Sequence, residues 1–149
     1  MNTLAIIFIC VAAGVILLFS IIRLSLYLTK RKLAVRIREK FHESDIVLMS
    51  LNANFFGRKS QGVSPVRVNG ALVLTAKELW FSLAVPRKNI SIPLKDIQYV
   101  RTEKSFLYKT VLHPLLVVRY KTKEFYDEAG WWVPDADRWV KEIEKRRTE

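Results

Sequence analysis

Cysteine is almost missing from this chain: of 149 residues only Cys10 is one, and it sits inside an apolar run. A lone thiol closes no intramolecular disulfide and builds no cysteine-based metal site, which fits a reducing, cytosolic working part. Histidine is nearly as scarce, with His42 and His113 far apart and neither beside a nucleophile. No glycine-rich phosphate loop is present, since Lys109-Thr110 follows Tyr108 and not a run of glycines. Asp127 and Glu128 are neighbours on an expected strand and so point apart, while Asp135 and Asp137 suit a helix start. No group of residues meets the joint demands of nucleophile, base and orienting partner. The chain therefore reads as non-catalytic, with no cofactor and no metal.

Charge is also missing, entirely, from the first 22 residues. Leu4 to Ile22 is an apolar run that makes a helix of about 29 Å, close to the hydrocarbon thickness of a bilayer. A single segment of this kind crosses lipid only as a helix, because no backbone group can be left unpaired there. The start lacks the basic residues of a secretory signal, the apolar core is longer than a signal's, and Ser20-Ile21-Ile22-Arg23 is a poor cleavage sequence. The expectation is an uncleaved transmembrane anchor over residues 1–29, with Arg23 and Tyr27 in the headgroup layer. Ala12, Ala13 and Gly14 form a small-residue patch, which leaves open either ordinary membrane composition or a homo-oligomer through the helix.

What is abundant is positive charge. The net charge is +11, and Lys30, Arg31, Lys32, Arg36, Arg38 and Lys40 crowd a basic juxtamembrane stalk, residues 30–43. By the positive-inside rule the N-terminus lies outside and the rest in the cytoplasm, at the plasma membrane. Bases beside a bilayer favour anionic lipid, at about 1 kcal/mol each near the surface. A nucleic-acid partner is not expected, for no recognition motif accompanies the charge. Leu33, Ile37 and Phe41 make one apolar stripe on the stalk, which suits either the membrane interface or docking on the following domain.

From Ser44 the period becomes that of strands. Apolar segments at 45–52, 66–75, 79–85, 90–92, 97–103, 115–120 and 124–133 read as about seven strands. Gly57, Ser60, Gly62, Ser64 and Pro65 mark a loop over 54–65, and residues 104–114 read as a long basic connection. Pro134, Asp135 and Asp137 open a final helix whose apolar face is Trp139, Val140 and Ile143. The expected fold is an N-terminal transmembrane helix plus a mainly-β domain over 44–149. That domain is an antiparallel barrel or sandwich capped by a C-terminal helix. Of the adjacent Trp131 and Trp132, one belongs in the core against Trp139, the other outside or under the stalk.

The segments A-N-F-F-G-R-K-S (53–60), V-R-V-N-G-A-L-V-L-T (66–75) and L-W-F-S-L-A-V-P-R-K (79–88) carry a resemblance, as do I-S-I-P-L-K-D-I (90–97), K-T-V-L-H-P-L-L-V-V-R-Y (109–120) and D-E-A-G-W-W-V (127–133). In this order, with a capping helix, they resemble bacterial, membrane-anchored pleckstrin-homology-like and GRAM-like domains. The resemblance implies a module that binds lipid headgroups or protein partners, with basic loops at one open end as the place to look. Phe55, Phe56, Arg58, Lys59 and Arg67 would form the first such loop, with the two Phe side chains either wedging into the acyl boundary or belonging to the core while the bases are solvated. Arg87 and Lys88 would form a second, and Lys104 and Lys109 a third, the three converging on a cationic rim. The leading function is engagement of anionic headgroups of the inner leaflet. The alternative is a membrane-tethered scaffold for other membrane proteins, using a strand edge or a Trp-bearing face.

Overall fold

A computed structural model describes residues 2–62 and 67–147 of the chain. Ser64, Pro65 and Val66, read above as loop and strand start, lie outside the described residues. One continuous helix, α1 (Thr3–Lys40), carries both the apolar run and the basic stalk. None of residues 3–28 on it is buried, whereas Leu33 and Ile37 are 2% and 1% exposed. The helix is thus bare along its apolar length and docked along its basic length. It ends where Phe41 turns extended while its N–H still reaches the Ile37 carbonyl at 2.8 Å.

Seven antiparallel strands follow: β1 (Ile46–Arg58), β2 (Val68–Thr75), β3 (Glu78–Leu83), β4 (Asn89–Pro93), β5 (Ile97–Phe106), β6 (Lys109–Lys121) and β7 (Tyr126–Trp132). Their order is β4-β3-β2-β1-β7-β6-β5, with β4 and β5 as the edges. β1 joins the two halves, pairing with β2 from Ile46 to Phe55 and with β7 from Asn54 to Arg58. It turns from one half to the other at register breaks, one of them between Phe55 and Gly57, where Gly57 takes φ 117°. A residue with a Cβ is strained at that angle, so the bend belongs to glycine.

The halves enclose a core in which the rings of Phe55, Phe81 and Trp131 meet as a triangle, Phe55 lying 5.5 Å from each of the others and Phe81 6.1 Å from Trp131. The closing helix α2 (Ala136–Arg147) packs on β5 and β6 and adds Trp139 and Ile143 to that core. Asp135 enters it at φ 54°, and its carboxylate accepts the Arg138 N–H at 3.4 Å. A second apolar cluster lies outside the first half, where Leu33 and Ile37 of α1 cover Ala71, Val73 and Trp80. A third lies outside the other half and joins Phe56, Phe106, Leu115 and Val117.

The expected architecture is present, with two corrections and one choice between open readings. The first strand does not stop at Asn52 but runs to Arg58, so Phe55 and Phe56 are strand residues. Residues 104–114 are not a long connection: β5 and β6 form one long hairpin that turns at Leu107-Tyr108, with φ 49° and 61°. Such left-handed pairs are usually made with Asn or Gly, so Leu-Tyr gave no turn signal. The two readings of the stalk stripe resolve in favour of docking, since Leu33 and Ile37 are buried on the sheet and Phe41 lies edge-on to Trp80, centroids 5.5 Å apart.

Candidate functional site

Strand directions decide which loops meet. β2 starts beside the end of β1 (Phe55 opposite Val68), and β3 ends beside the start of β2 (Gly70 opposite Leu83). The β1–β2 and β3–β4 loops therefore share one end of the sheet. The β6–β7 loop joins them, because β7 begins where β1 ends. Asp127 at that start accepts the Ser60 backbone N–H at 3.0 Å and the Ser60 hydroxyl at 2.6 Å. The β5–β6 hairpin, with Lys104 and Lys109, emerges at the opposite end of β6 and β7. The third loop of the rim is consequently residues 121–126, with Lys121, Lys123 and the half-exposed Phe125 and Tyr126. Sequence reasoning missed these; the basic-aromatic pattern K-T-K-E-F-Y was the available signal.

The candidate cations take distinct surroundings. Arg58 and Lys88 line one hollow of about 160 Å³ with Gln61, over a floor of Val68, Leu83 and Ile90. The Arg58 Nε is buried with no hydrogen-bond partner among the described residues. Arg87 faces α1, in hollows shared with Lys32 and Arg36. Lys59 turns away to Glu128 at 2.7 Å. Arg67 lies over the Phe56 ring, 4.6 Å from its centroid, on the outer face. Phe55 and Phe56 wedge into nothing: they are 8% and 1% exposed, because alternate strand positions send one to the central core and the other to the outer cluster. Besides Phe125, large apolar side chains that do stand exposed include Val85 at the β3–β4 tip, Tyr108 at the β5–β6 turn and Leu112 on β6.

Behind the rim stands a buried ionic hub. Glu128, 5% exposed, receives Lys59 at 2.7 Å, Arg101 at 3.1 Å and the Tyr99 hydroxyl at 2.9 Å, with Arg119 at 3.7 Å. Burial pushes its carboxyl up, yet the hydrogen bonds from Lys59, Tyr99 and Arg101 outweigh that and hold it below the usual carboxylate range. Burial opposes the Arg101 charge as well, but Glu103 and Glu128 raise its pKa overall. Next to the hub, burial pushes the Tyr120 hydroxyl up to about 12; the Arg58 charge opposes this and Asp127 adds to it. Asp127 and Glu128 do point apart, as expected, and both tie down the β1–β2 loop.

The bases in the second half of α1 divide between the domain and solvent. Arg36 donates to the Leu83 carbonyl at 3.1 Å and to the Ser82 hydroxyl at 3.4 Å, and Lys40 pairs with Glu78 at 3.1 Å. Lys30, Arg31, Lys32 and Arg38 stay exposed. These contacts also orient the domain. Moving along α1 from Arg36 to Lys40 means moving back along β3 from Leu83 to Glu78. The β3–β4 loop thus lies on the side of the helix's apolar run, where Val85 and Arg87 share a hollow with Thr29 and Lys32. The end of the sheet that carries the rim is the end nearest the apolar helix.

No group of three or more His, Cys, Asp and Glu suited to a metal ion occurs among the described residues. No family model and no curated protein sequence matches the chain. Solved structures do. A chain of the 8S snRNP assembly intermediate superposes with a TM-score of 0.57 at 12% identity, over 72% of this chain and 85% of that one. The Vps36 N-terminal PH domain superposes with a TM-score of 0.53 at 14% identity, over 72% of this chain and 83% of its own. At such identities the likeness concerns the fold alone, and that fold is pleckstrin-homology-like, preceded by a helix long and apolar enough to cross a membrane.

Proposed function

We propose that this is a single-pass membrane protein, N-terminus outside, whose cytosolic pleckstrin-homology-like domain engages anionic lipid headgroups of the inner leaflet without catalysis. One observation carries the reading: the docked stalk turns the rim with Arg58, Arg87 and Lys88 toward the apolar helix. A tethered domain does not need a headgroup in order to find the membrane, but a rim held at the surface meets headgroups at high local concentration. Arg58 and Lys88 line one hollow, and two cations side by side there suit a phosphate oxygen. The bare length of α1 supports the anchor, since so many exposed apolar side chains have no place in water.

The test uses the full chain in nanodiscs of neutral or anionic lipid. Amide hydrogen exchange in residues 58–62 and 84–88 is expected to slow with anionic lipid, and to lose that response when Arg58, Arg87 and Lys88 are changed to Glu. Lys59 stays native, since reversing it would break its pair with Glu128. Exchange indifferent to lipid charge would sink the rim. A second reading, a scaffold for a membrane-associated protein, draws support from the hairpin where Tyr108 and Leu112 are 96% and 95% exposed. On that reading the triple reversal leaves partner binding intact and Tyr108→Ser abolishes it.

A further inference from the structure

A separate groove of about 420 Å³ runs between α1 and the sheet, on the face opposite the central core. Leu26, Thr29, Lys30 and Leu33 form its helical wall, and Asn52, Asn54 and Asn69 stand on the sheet side with Trp132 at one end. Three of the chain's five Asn residues thus surround one groove. Their carboxamides make no hydrogen bond to another described residue, Asn52 using only its backbone N–H on the Ser50 hydroxyl at 3.3 Å. Carboxamides both donate and accept, so together they suit hydroxyls and ester oxygens better than a bare ion. Lys30 is exposed and adds a point charge for a phosphate.

Depth along the helix identifies the occupant. Leu26 lies four residues beyond the apolar run and Lys30 eight, which is about 6 and 12 Å along the axis. Headgroups occupy about 5–8 Å on each side of the hydrocarbon. The mouth of the groove therefore opens within the headgroup layer, and Lys30 stands just above it.

We infer that the groove holds one anionic glycerophospholipid with a hydroxylated headgroup, drawn sideways from the inner leaflet. Its phosphate sits on Lys30, its headgroup hydroxyls on the Asn carboxamides, and its first acyl carbons against Leu26 and Trp132. The inference rests on the reading that α1 spans the membrane, but not on the rim.

Trp132 provides the readout. Trp80, Trp131 and Trp139 are 2%, 0% and 4% exposed, while Trp132 is half-buried in the groove wall. The full chain is reconstituted in phosphatidylcholine vesicles doped with phosphatidylglycerol or phosphatidylcholine that carries a nitroxide close to the ester, and a Trp132→Phe variant supplies the background. Labelled phosphatidylglycerol is expected to quench Trp132 at about fivefold lower mole fraction than labelled phosphatidylcholine, the worth of one basic residue at this depth. Lys30→Gln and Asn69→Leu, both at exposed positions, should remove that preference, and the Glu triple variant of the rim should keep it. Equal quenching by the two lipids, or a preference that survives Lys30→Gln and Asn69→Leu, overturns the groove alone. Release of the chain from the vesicles by alkaline carbonate overturns the spanning helix and the groove together.

Discussion

Glu128 shows how much one side chain settles here. Its carboxylate gathers Lys59 from the β1–β2 loop, Tyr99 and Arg101 from β5 and Arg119 from β6. Its pKa is lower folded than unfolded, so its contribution to stability is full above the ordinary value of 4.5 and disappears as pH falls through the folded value. Denaturant midpoints of the full chain in detergent should therefore drop on acidification below 4.5, and Glu128→Gln should flatten that drop while lowering stability at neutral pH. A midpoint equally pH-dependent in the variant would mean that other carboxylates govern acid stability. Gly130 makes a second claim at this scale. A Cβ there would come within 2.6 Å of the buried Phe106 ring, so Gly130→Ala is expected to destabilise by about 1–3 kcal/mol through overpacking. Thermal unfolding followed by near-ultraviolet dichroism measures this, and an unchanged midpoint would refute the packing of the hairpin on β7.

Among the elements, α1 is the one whose role changes most between sequence and structure. Its basic stretch reads as either an interfacial segment or one docked on the domain; Leu33 and Ile37 in fact seal the outside of β2 and β3, and Arg36 and Lys40 fix its angle. Truncating a buried Leu or Ile to Ala costs about 2–5 kcal/mol. A fragment that begins at residue 41 would uncover Val73 and Trp80, whereas one that begins at residue 30 would keep them covered. The shorter fragment is expected to unfold at lower denaturant and to bind an apolar dye, and Ile37→Ala in the longer one should move it most of the way there. Equal stability of the two fragments would show that the stalk does not support the sheet. The β5–β6 hairpin is the converse case, an element that closes without turn chemistry because Phe106, Leu115 and Val117 hold its strands against Phe56.

For the molecule as a whole, the consequence is orientation. On the proposed function, a helix that leaves the membrane and lies along β3 presents the rim end of the sheet to the bilayer. Headgroup engagement then becomes an intramolecular event, governed by geometry more than by affinity. Protection of the β3–β4 loop by anionic lipid should fade with rising salt, since Arg87 and Lys88 are exposed and their attraction is screened over about 8–10 Å. Hydrogen exchange at low and high ionic strength measures this. Protection unaffected by salt would point to apolar insertion of Val85 in place of charge.

Residue chemistry alone determined the membrane-length apolar helix, the cluster of bases after it, the strand-rich domain and its capping helix. Each is a local matter of periodicity, charge or punctuation, legible without neighbours. The tertiary structure decided what depends on who lies opposite whom. Phe55 and Phe56 read as either a loop wedge or core until β1 is seen to continue through Gly57 into the second half of the sheet. Lys104 and Lys109 look like rim residues until strand direction places them at the far end and brings Lys121 and Lys123 in their stead. The groove at Lys30 is invisible in sequence, because its walls come from positions 26–33, 51–54, 69–70 and 132–134. Only the docking of a helix on the back of a sheet brings those positions together.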